Sequence, residues 1–266
     1  MDPLPTSRPD GDRPEDEERL WGGILAAARG ATAGAALCAS PLWRIYGPLI
    51  EGAGAGRPYM IGQMGQSLDG RIATRNGVSR TINGPSAMIH LHRLRALVDA
   101  VVVGVGTAAI DDPQLTVRLA TGRHPARIVI DPGGRLPAGA RCLEDDGVRR
   151  IVVQSADHRR PDGVETLRLP ATDGVIDPRT LRQALARLGL RRVLVEGGGV
   201  TVSRFLNRGC LDRLHVLVAP MIIGSGLMGI GLDEIGDLER ALRPPVAVTP
   251  FPEGDVLFDC DLGGSR

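Results

Sequence analysis

The pattern of apolar and polar positions divides the chain into a helical N-terminal part and a longer part of alternating strands and helices. Near the N-terminus, a stripe at helical spacing predicts an amphipathic helix through Leu20, Trp21, Ile24, Leu25 and Ala28. After residue 57, short β-rich runs alternate with helical periods. This alternation is typical of a largely parallel sheet with helices packed on it.

The second part contains enough elements for one α/β domain. We predict strands at residues 59–66, 100–103, 127–130, 151–154, 164–169, 193–196 and 214–219. We predict helices at residues 86–98, 178–188 and 200–207. The last two β-rich runs, 246–249 and 255–261, predict an antiparallel hairpin. We therefore expect an α/β fold with a mostly parallel central sheet, flanking helices and a C-terminal antiparallel hairpin.

Composition changes along the chain and predicts three segments. Residues 1–18 are acidic and proline-rich, which predicts a disordered tail. Residues 19–56 predict a helical extension that ends in a glycine-rich linker, and residues 57–262 form the main domain. The extension contains Trp21, Trp43 and Tyr46, whose large apolar surfaces favour packing over a loose tether.

The charged residues exclude several classes of function. The formal net charge is only +1, so no general field attracts nucleic acid or a membrane surface. All 32 basic residues are arginine. Without lysine the chain lacks the amine that a Walker A loop or Schiff-base chemistry needs. No signal peptide or membrane span is evident, so we expect a cytoplasmic protein with no nucleic-acid or membrane partner.

The cysteines and histidines do not predict a metal site. No two cysteines have zinc spacing, and the two closest histidines are two residues apart, which puts them on different sides of a helix. We expect free thiols and isolated imidazoles at Cys38, Cys142, Cys210, Cys260, His90, His92, His124, His158 and His215.

Two glycine-rich turns follow predicted strands. The first, residues 101–109, imitates a dinucleotide-binding fingerprint, but Pro113 stops any helix after about one turn, so we reject that interpretation. Its amides and the Thr107 hydroxyl could still meet a phosphate. In the second, Glu196 ends a strand, residues 197–199 are all glycine, and a helix begins. Free N–H groups at a helix N-terminus attract an anion, whereas the alternative is a sharp turn without ligand.

Six strings in the main domain occur in a specific order. They are SLDGRIA (67–73), LRA (94–96), GVGT (104–107), DDPQLTVR (111–118), LVEGGG (194–199) and AP (219–220). Together they resemble the pyrimidine reductase family of riboflavin biosynthesis. The resemblance implies a dihydrofolate-reductase-like fold, NADPH as cofactor and a homodimer. It also implies hydride transfer to C1′ of a ring-opened ribosylamino group on a pyrimidine 5′-phosphate, which yields a ribitylamino chain.

The resemblance also implies residue roles. Expected cofactor contacts are Gly65, Thr81, Thr107, Asp111, Gly198, Gly199, Val200 and Thr201. Expected substrate contacts are Ser79, Arg95, Leu115 and Arg118, the two arginines holding the ribose phosphate. Glu196 is the expected catalytic residue, orienting hydroxyls or relaying a proton during ring opening. For the cofactor 2′-phosphate we expect Arg80. Spacing alone does not single out the arginines, since each also suits a surface position.

The sequence departs from the family pattern in three places. Gln63 stands where bifunctional members often have lysine, Pro132 replaces a serine, and the zinc deaminase domain is absent, so we expect neither bound zinc nor deaminase activity. Two alternatives stay open: a related NADPH reductase of another pterin- or pyrimidine-like substrate, and a catalytically silent nucleotide-binding protein. The presence of Arg95, Arg118 and Glu196 together argues against the silent protein.

Overall fold

The computed structural model describes residues 14–54, 56–79 and 81–263, in two compact units, Met1–Gly52 and Ala53–Arg266. Most of the predicted tail lies outside the described residues. Residues 14–52, the described part of the first unit, contain three helices: α1 (Pro14–Ala28), α2 (Ala35–Cys38) and α3 (Pro41–Glu51). Because α1 begins at Pro14, residues 14–18 of the predicted tail are helical. In the described part of the chain, no helix is long and apolar enough to cross a bilayer.

The N-terminal unit follows its sequence signals. Ser40 caps α3 by accepting a hydrogen bond from the Trp43 backbone N–H at 3.1 Å, and a proline occupies the first turn. The predicted apolar stripe of α1 is real, since Trp21 and Ile24 are buried. The Trp21 ring meets the Tyr46 ring of α3 edge to face, with centroids 5.4 Å apart.

The described residues of the second unit form a nine-stranded sheet, two small strand pairs and four α-helices. The helices are α4 (Pro85–Leu97), α5 (Val105–Ile110), α6 (Pro178–Arg187) and α7 (Gly199–Asn207). The strands are β1 (Tyr59–Ser67), β2 (Arg71–Thr74), β3 (Ala100–Gly104), β4 (Ala126–Ile130), β5 (Arg150–Gln154), β6 (Glu165–Arg168), β7 (Ala171–Thr172), β8 (Val175–Ile176), β9 (Arg192–Glu196), β10 (Arg213–Ala219), β11 (Gly226–Met228), β12 (Val246–Pro250) and β13 (Val256–Asp261).

The strand order is β12-β13-β10-β1-β9-β3-β4-β5-β6. All pairs from β10 to β6 are parallel, and β13 and β12 add an antiparallel hairpin at one edge. The expected mixed α/β architecture is therefore confirmed. The sequence did not predict the two small pairs, β2 with β11 and β7 with β8, because strands of two to four residues are too short to show a period.

The two faces of the sheet differ in chemistry. One face is an apolar core that includes Val102, Ile128, Val153, Leu185 and Phe205. The α4 face mixes apolar residues with a row of buried polar groups. Because paired residues of neighbouring strands point to the same face, the register places four side chains in that row: Glu196, Gln63, His215 and Asp259.

Helix α4 covers this polar row with polar side chains of its own. His90 Nε2 lies 3.1 Å from His215 Nδ1, and His215 Nε2 lies 3.1 Å from a carboxylate oxygen of Asp259. Both imidazoles are buried. Burial lowers the pKa of His90 well below the ordinary value of 6.5, and His215 lowers it further. Next along the helix, burial and then Arg95 and Arg118 lower the pKa of His92 to about 4.

These neutral histidines predict that the protein loses stability in mild acid. The unfolded chain protonates each histidine near pH 6.5, while the folded chain does not, so the free energy of unfolding falls as pH drops from 6.5 towards 4. Each histidine contributes about 1.4 kcal/mol per pH unit in that range. Urea titrations at pH 7.5, 6 and 5 measure this slope. His90→Gln should reduce the slope by one histidine's share, and an unchanged slope would contradict the assignment.

Candidate active site

Two glycine-rich turns meet at the carboxyl edge of the parallel sheet. The first joins β3 to α5, and the second joins β9 to α7. The Thr107 hydroxyl of the first turn accepts a hydrogen bond from the Gly198 N–H of the second at 3.1 Å. The second contact joins Gly104, before α5, to Thr201 of α7: a Cβ added to Gly104 would lie 2.5 Å from Thr201 Oγ1. The two turns therefore pack directly against each other. Helix α5 ends after six residues, which agrees with the prediction that no long Rossmann-type helix follows the first turn.

The second turn presents a helix N-terminus at this edge. Gly197 has φ +112°, a backbone conformation that favours glycine, and Gly198 is the N-cap residue of α7. Gly199 and Val200 begin the helix, so their N–H groups have no acceptor within it. The Val200 side chain is exposed, which leaves the backbone as its means of contact. These donors suit an anion.

A buried ion pair lies beside the glycine turns. Arg95 of α4 donates from Nε to Glu196 Oε1 at 2.6 Å and from Nη2 to Glu196 Oε2 at 2.7 Å. Its Nη1 donates to the Thr116 carbonyl at 3.0 Å. Burial opposes the charge of Arg95, but its contact with Glu196 outweighs burial and raises the pKa of Arg95 above its ordinary value. Arg95 is thus bonded within the protein, and its contact with the substrate phosphate stays a prediction.

Residues 111–118 form a loop with unusual backbone geometry. Asp112 and Leu115 have φ of 41° and 58°, which is rare for residues other than glycine. Leu115 as a whole is buried, and its contact with the substrate stays a prediction. The exposed Arg118 ends the loop, with Nη1 donating to Gln114 Oε1 at 2.5 Å and to Thr116 Oγ1 at 3.3 Å.

Arg118 belongs to a cluster of positive charge. Burial lowers its pKa, and the guanidinium groups of Arg95 and Arg141 lower it further. Neither Arg118 nor Arg141 forms an ion pair with a carboxylate in the described ranges. Asp112 instead accepts the Arg141 backbone N–H at 2.8 Å, which fixes that residue next to the loop. Unneutralised arginines of this kind attract phosphate.

The remaining predicted residues lie around the same edge. The Ser79 hydroxyl lies 3.4 Å from Asp111 Oδ1, which joins an expected substrate contact to an expected cofactor contact. Thr81 has φ 72° and is exposed. Gly65 lies against Asn83, because an added Cβ would be 1.8 Å from Asn83 Oδ1. Arg80, the residue expected at the 2′-phosphate, lies outside the described residues.

Three residues that bond the 111–118 loop were not predicted from the sequence. His92 Nδ1 accepts the Arg118 backbone N–H at 2.8 Å, and His124 Nδ1 accepts the Val117 backbone N–H at 3.1 Å. Both histidines were expected to be isolated. Arg141 is the third, and no local motif marks it. Over residues 14–54, 56–79 and 81–263, no group of three or more histidine, cysteine, aspartate or glutamate side chains is arranged to hold a metal.

The chain is an α/β domain whose glycine turns and arginine cluster lie at the carboxyl ends of parallel strands, the edge at which open α/β sheets bind ligands. Residues 58–243 match the model of the RibD C-terminal domain family, and the chain belongs to that family. It is 35% identical over 197 residues to the 2,5-diamino-6-ribosylamino-4(3H)-pyrimidinone 5′-phosphate reductase of Methanothermobacter thermautotrophicus, covering 69% of this chain and 90% of that protein.

Bacterial relatives are longer than this chain. The riboflavin biosynthesis protein RibD of Aquifex aeolicus is 35% identical over 193 residues, which cover 70% of this chain and 53% of the relative. The chain therefore spans about half the length of the bacterial RibD proteins it matches.

Solved structures share the fold. The deaminase/reductase of Thermotoga maritima superimposes with a TM-score of 0.66 at 28% identity, over 82% of this chain and 59% of that one. The Saccharomyces riboflavin biosynthesis reductase Rib7 gives a TM-score of 0.66 at 21% identity, over 84% and 99% of the two chains. The expected α/β fold, with a mostly parallel sheet and a C-terminal antiparallel hairpin, is thereby confirmed as the fold of these reductases.

The Arg95–Glu196 pair predicts a specific mutational pattern. Removing either partner leaves a buried charge without its counter-charge, so Arg95→Met or Glu196→Leu should each lower the free energy of unfolding by about 3–5 kcal/mol. The double variant should recover most of that loss, because an apolar pair of similar volume costs no desolvation. Urea unfolding of the four proteins gives the coupling. Additive losses in the double variant would show that the two side chains stabilise the fold independently.

Proposed function

We propose that the chain is an NADPH-dependent reductase that acts on the ribosylamino side chain of an aminopyrimidine 5′-phosphate in riboflavin biosynthesis. The names of its relatives support this reaction. The observation that carries it is the pairing, at one edge, of an unneutralised arginine cluster with a glycine-rich helix N-terminus. The arginine cluster attracts a substrate phosphate, and the helix N-terminus attracts a cofactor phosphate. All residues of the proposal fall within 57–262, the reductase domain expected from the sequence.

In this proposal the substrate phosphate binds Arg118, with Arg141 adding charge. Among the described residues, the Arg118 side chain donates only to neutral oxygens of Gln114 and Thr116, so its charge stays available to a dianion. The second arginine expected at the phosphate, Arg95, bonds Glu196 through two nitrogens and is buried. We assign Arg95 a different role, which is to hold the Glu196 carboxylate in one orientation.

Glu196 is the proposed catalytic residue. Each of its oxygens accepts one hydrogen bond from Arg95 and retains a second acceptor site. A carboxylate held in this way can accept hydrogen bonds from ribosyl hydroxyl groups and keep the sugar carbon in place during reduction. Because Arg95 holds both carboxylate oxygens, this geometry favours the orienting role over the proton relay.

The residues at the glycine turns suit a dinucleotide. The N–H groups of Gly199 and Val200 are the proposed diphosphate donors, with Thr107, Thr201 and Asp111 beside them. Gly65, Thr81 and Gly198 complete the proposed cofactor contacts, and Ser79 and Leu115 the substrate contacts. When bound, NADPH would supply the hydride, while the protein orients the reactants and excludes water.

We assign preference for NADPH over NADH to two arginines on neighbouring loops. Arg135 follows β4 and Arg159 follows β5, at the same carboxyl edge as the glycine turns. Both are exposed, and neither side chain forms a hydrogen bond or ion pair within the described part of the chain. Arg160 joins the two loops by donating to Asp131 at 2.8 Å. A pair of free guanidinium groups on a fixed platform suits a 2′-phosphate.

We also propose a homodimer through the C-terminal hairpin. Register places Val248 of β12 beside Phe258 of β13, and Phe258 beside the buried Val216 of β10. Val246, Val248 and Phe258 are exposed, so the apolar face of the sheet continues onto an uncovered edge. In a dimer with a two-fold axis, the same surface of a second copy would cover this one.

The reaction is tested by mixing the protein with NADPH and a phosphoribosylaminopyrimidine and following the nicotinamide absorbance. We expect oxidation of NADPH and a ribitylamino product. Arg118→Ala should raise KM roughly ten- to a hundredfold, since a charge-assisted phosphate contact contributes about 1.5–3 kcal/mol. NADPH oxidation only with another pterin or pyrimidine would favour a different reductase. No oxidation with any of them would favour a silent nucleotide-binding protein.

Cofactor preference is tested by fluorescence titration with NADPH and NADH. The wild-type protein should bind NADPH more tightly. Arg159→Ala should weaken NADPH binding roughly tenfold or more and leave NADH binding unchanged, because only NADPH carries the 2′-phosphate. Arg123→Ala is the matched control, since Arg123 is also exposed but precedes β4 at the opposite edge. Equal loss of NADPH and NADH affinity in Arg159→Ala would refute the assignment.

A further inference from the structure

The loop that carries Arg118 is tied to helix α4 by a buried histidine. The imidazole of His92 accepts the Arg118 backbone N–H at Nδ1, over 2.8 Å. Three residues further along the same face of α4, Arg95 donates to the Thr116 carbonyl of the same loop. The helix therefore forms two hydrogen bonds with the loop, one in which His92 is the acceptor and one in which Arg95 is the donor.

The loop needs such ties because its backbone is strained. Asp112 and Leu115 both have positive φ, a conformation that persists in residues other than glycine only when surrounding contacts impose it. Within the described residues, no second hydrogen bond holds the peptide that joins Val117 to Arg118. The direction in which Arg118 leaves the loop depends on that peptide.

If His92 only filled space in the core, an apolar side chain would be more stable in its place. It is fully buried, and because Nδ1 accepts a hydrogen bond, the ring proton sits on Nε2. Nε2 has no hydrogen-bond partner among the residues that the structure describes. A buried donor without a partner lowers stability, so a leucine would fill this space at less cost. What only the imidazole supplies here is the acceptor at Nδ1.

The acceptor is present at all ordinary pH values. Burial, Arg95 and Arg118 lower the pKa of His92 to about 4, so the ring stays neutral and Nδ1 keeps its lone pair. The other histidine of the loop, His124, is exposed, and water can replace it as acceptor for the Val117 N–H. His92 is therefore the decisive tie.

We propose that His92 is a positioning residue for phosphate recognition, acting through its hydrogen bond to the Arg118 backbone. The proposal rests on the proposed function, in which Arg118 binds the substrate phosphate. Since α4 also carries Arg95, one helix sets both the Glu196 carboxylate and the phosphate loop. The distance between the sugar-orienting group and the phosphate-binding group is then fixed by a rigid element.

The experiment uses ribose 5-phosphate as the probe, with ribose as the unphosphorylated control. Calorimetric titration compares the wild-type protein with Arg118→Ala, His92→Leu, His92→Asn and His90→Gln. Asparagine places an oxygen where the imidazole has Nδ1 and so keeps the acceptor. His90 lies on the same helix and is equally buried, but it bonds His215 instead of the loop, which makes it the matched control.

We expect His92→Leu to weaken ribose 5-phosphate binding roughly tenfold and to raise KM without a matching fall in kcat. His92→Asn should stay within about threefold of wild type, and His90→Gln should bind as wild type does. NADPH affinity should not change. Hydrogen exchange of the peptide containing residues 115–118 should quicken in His92→Leu only.

The outcomes separate this inference from the function it rests on. If wild type and Arg118→Ala bind ribose 5-phosphate equally, the phosphate site itself is wrong. If Arg118→Ala loses binding but His92→Leu does not, the phosphate site stands and the role of His92 is refuted. The role is equally refuted if His92→Asn fails as badly as His92→Leu, or if His90→Gln weakens binding to the same extent.

Discussion

A buried guanidinium–carboxylate pair, Arg95 with Glu196, fixes the relation between helix α4 and the sheet. Both groups are removed from water, so each is tolerable only in the presence of the other. The pair forces α4 to lie over the carboxyl end of β9. From that position the helix covers the polar row that crosses the sheet, places His90 on His215, and grips residues 111–118. Site and fold thus share one electrostatic constraint.

Local patterns sufficed for much of the fold. The long strands, the C-terminal hairpin and the Asp177-capped helix α6 each have a period or cap within a few residues, and these predictions agree with the structure. The fold class and family followed from ordered strings. What the sequence could not show was the partner of each polar side chain. Arg95 meets Glu196 across 101 residues, and His92 meets Arg118 across 26, without any local signal.

The absence of lysine gains a meaning in the structure beyond the reactions it excludes. Buried carboxylates recur with arginine partners: Asp212 with Arg182, Asp259 with Arg213, and Asp131 with Arg160. A guanidinium reaches several acceptors in one plane and keeps its charge when buried, whereas a lysine amine offers a single point and loses its proton readily. The buried ion pairs of the second unit depend on the planar geometry of the guanidinium group.

The interlocked glycine turns restrict how this site can evolve. Gly104 leaves room for Thr201, while Gly197 and Gly198 leave room for Thr107, and the two turns are 91 residues apart in the chain. A larger residue in one turn requires a smaller one in the other, so single changes are deleterious where paired changes are neutral. Homologous sequences should therefore show covariation between the two turns. A directed-evolution library that randomises only one of the two turns would consist mostly of variants in which the turns no longer fit together.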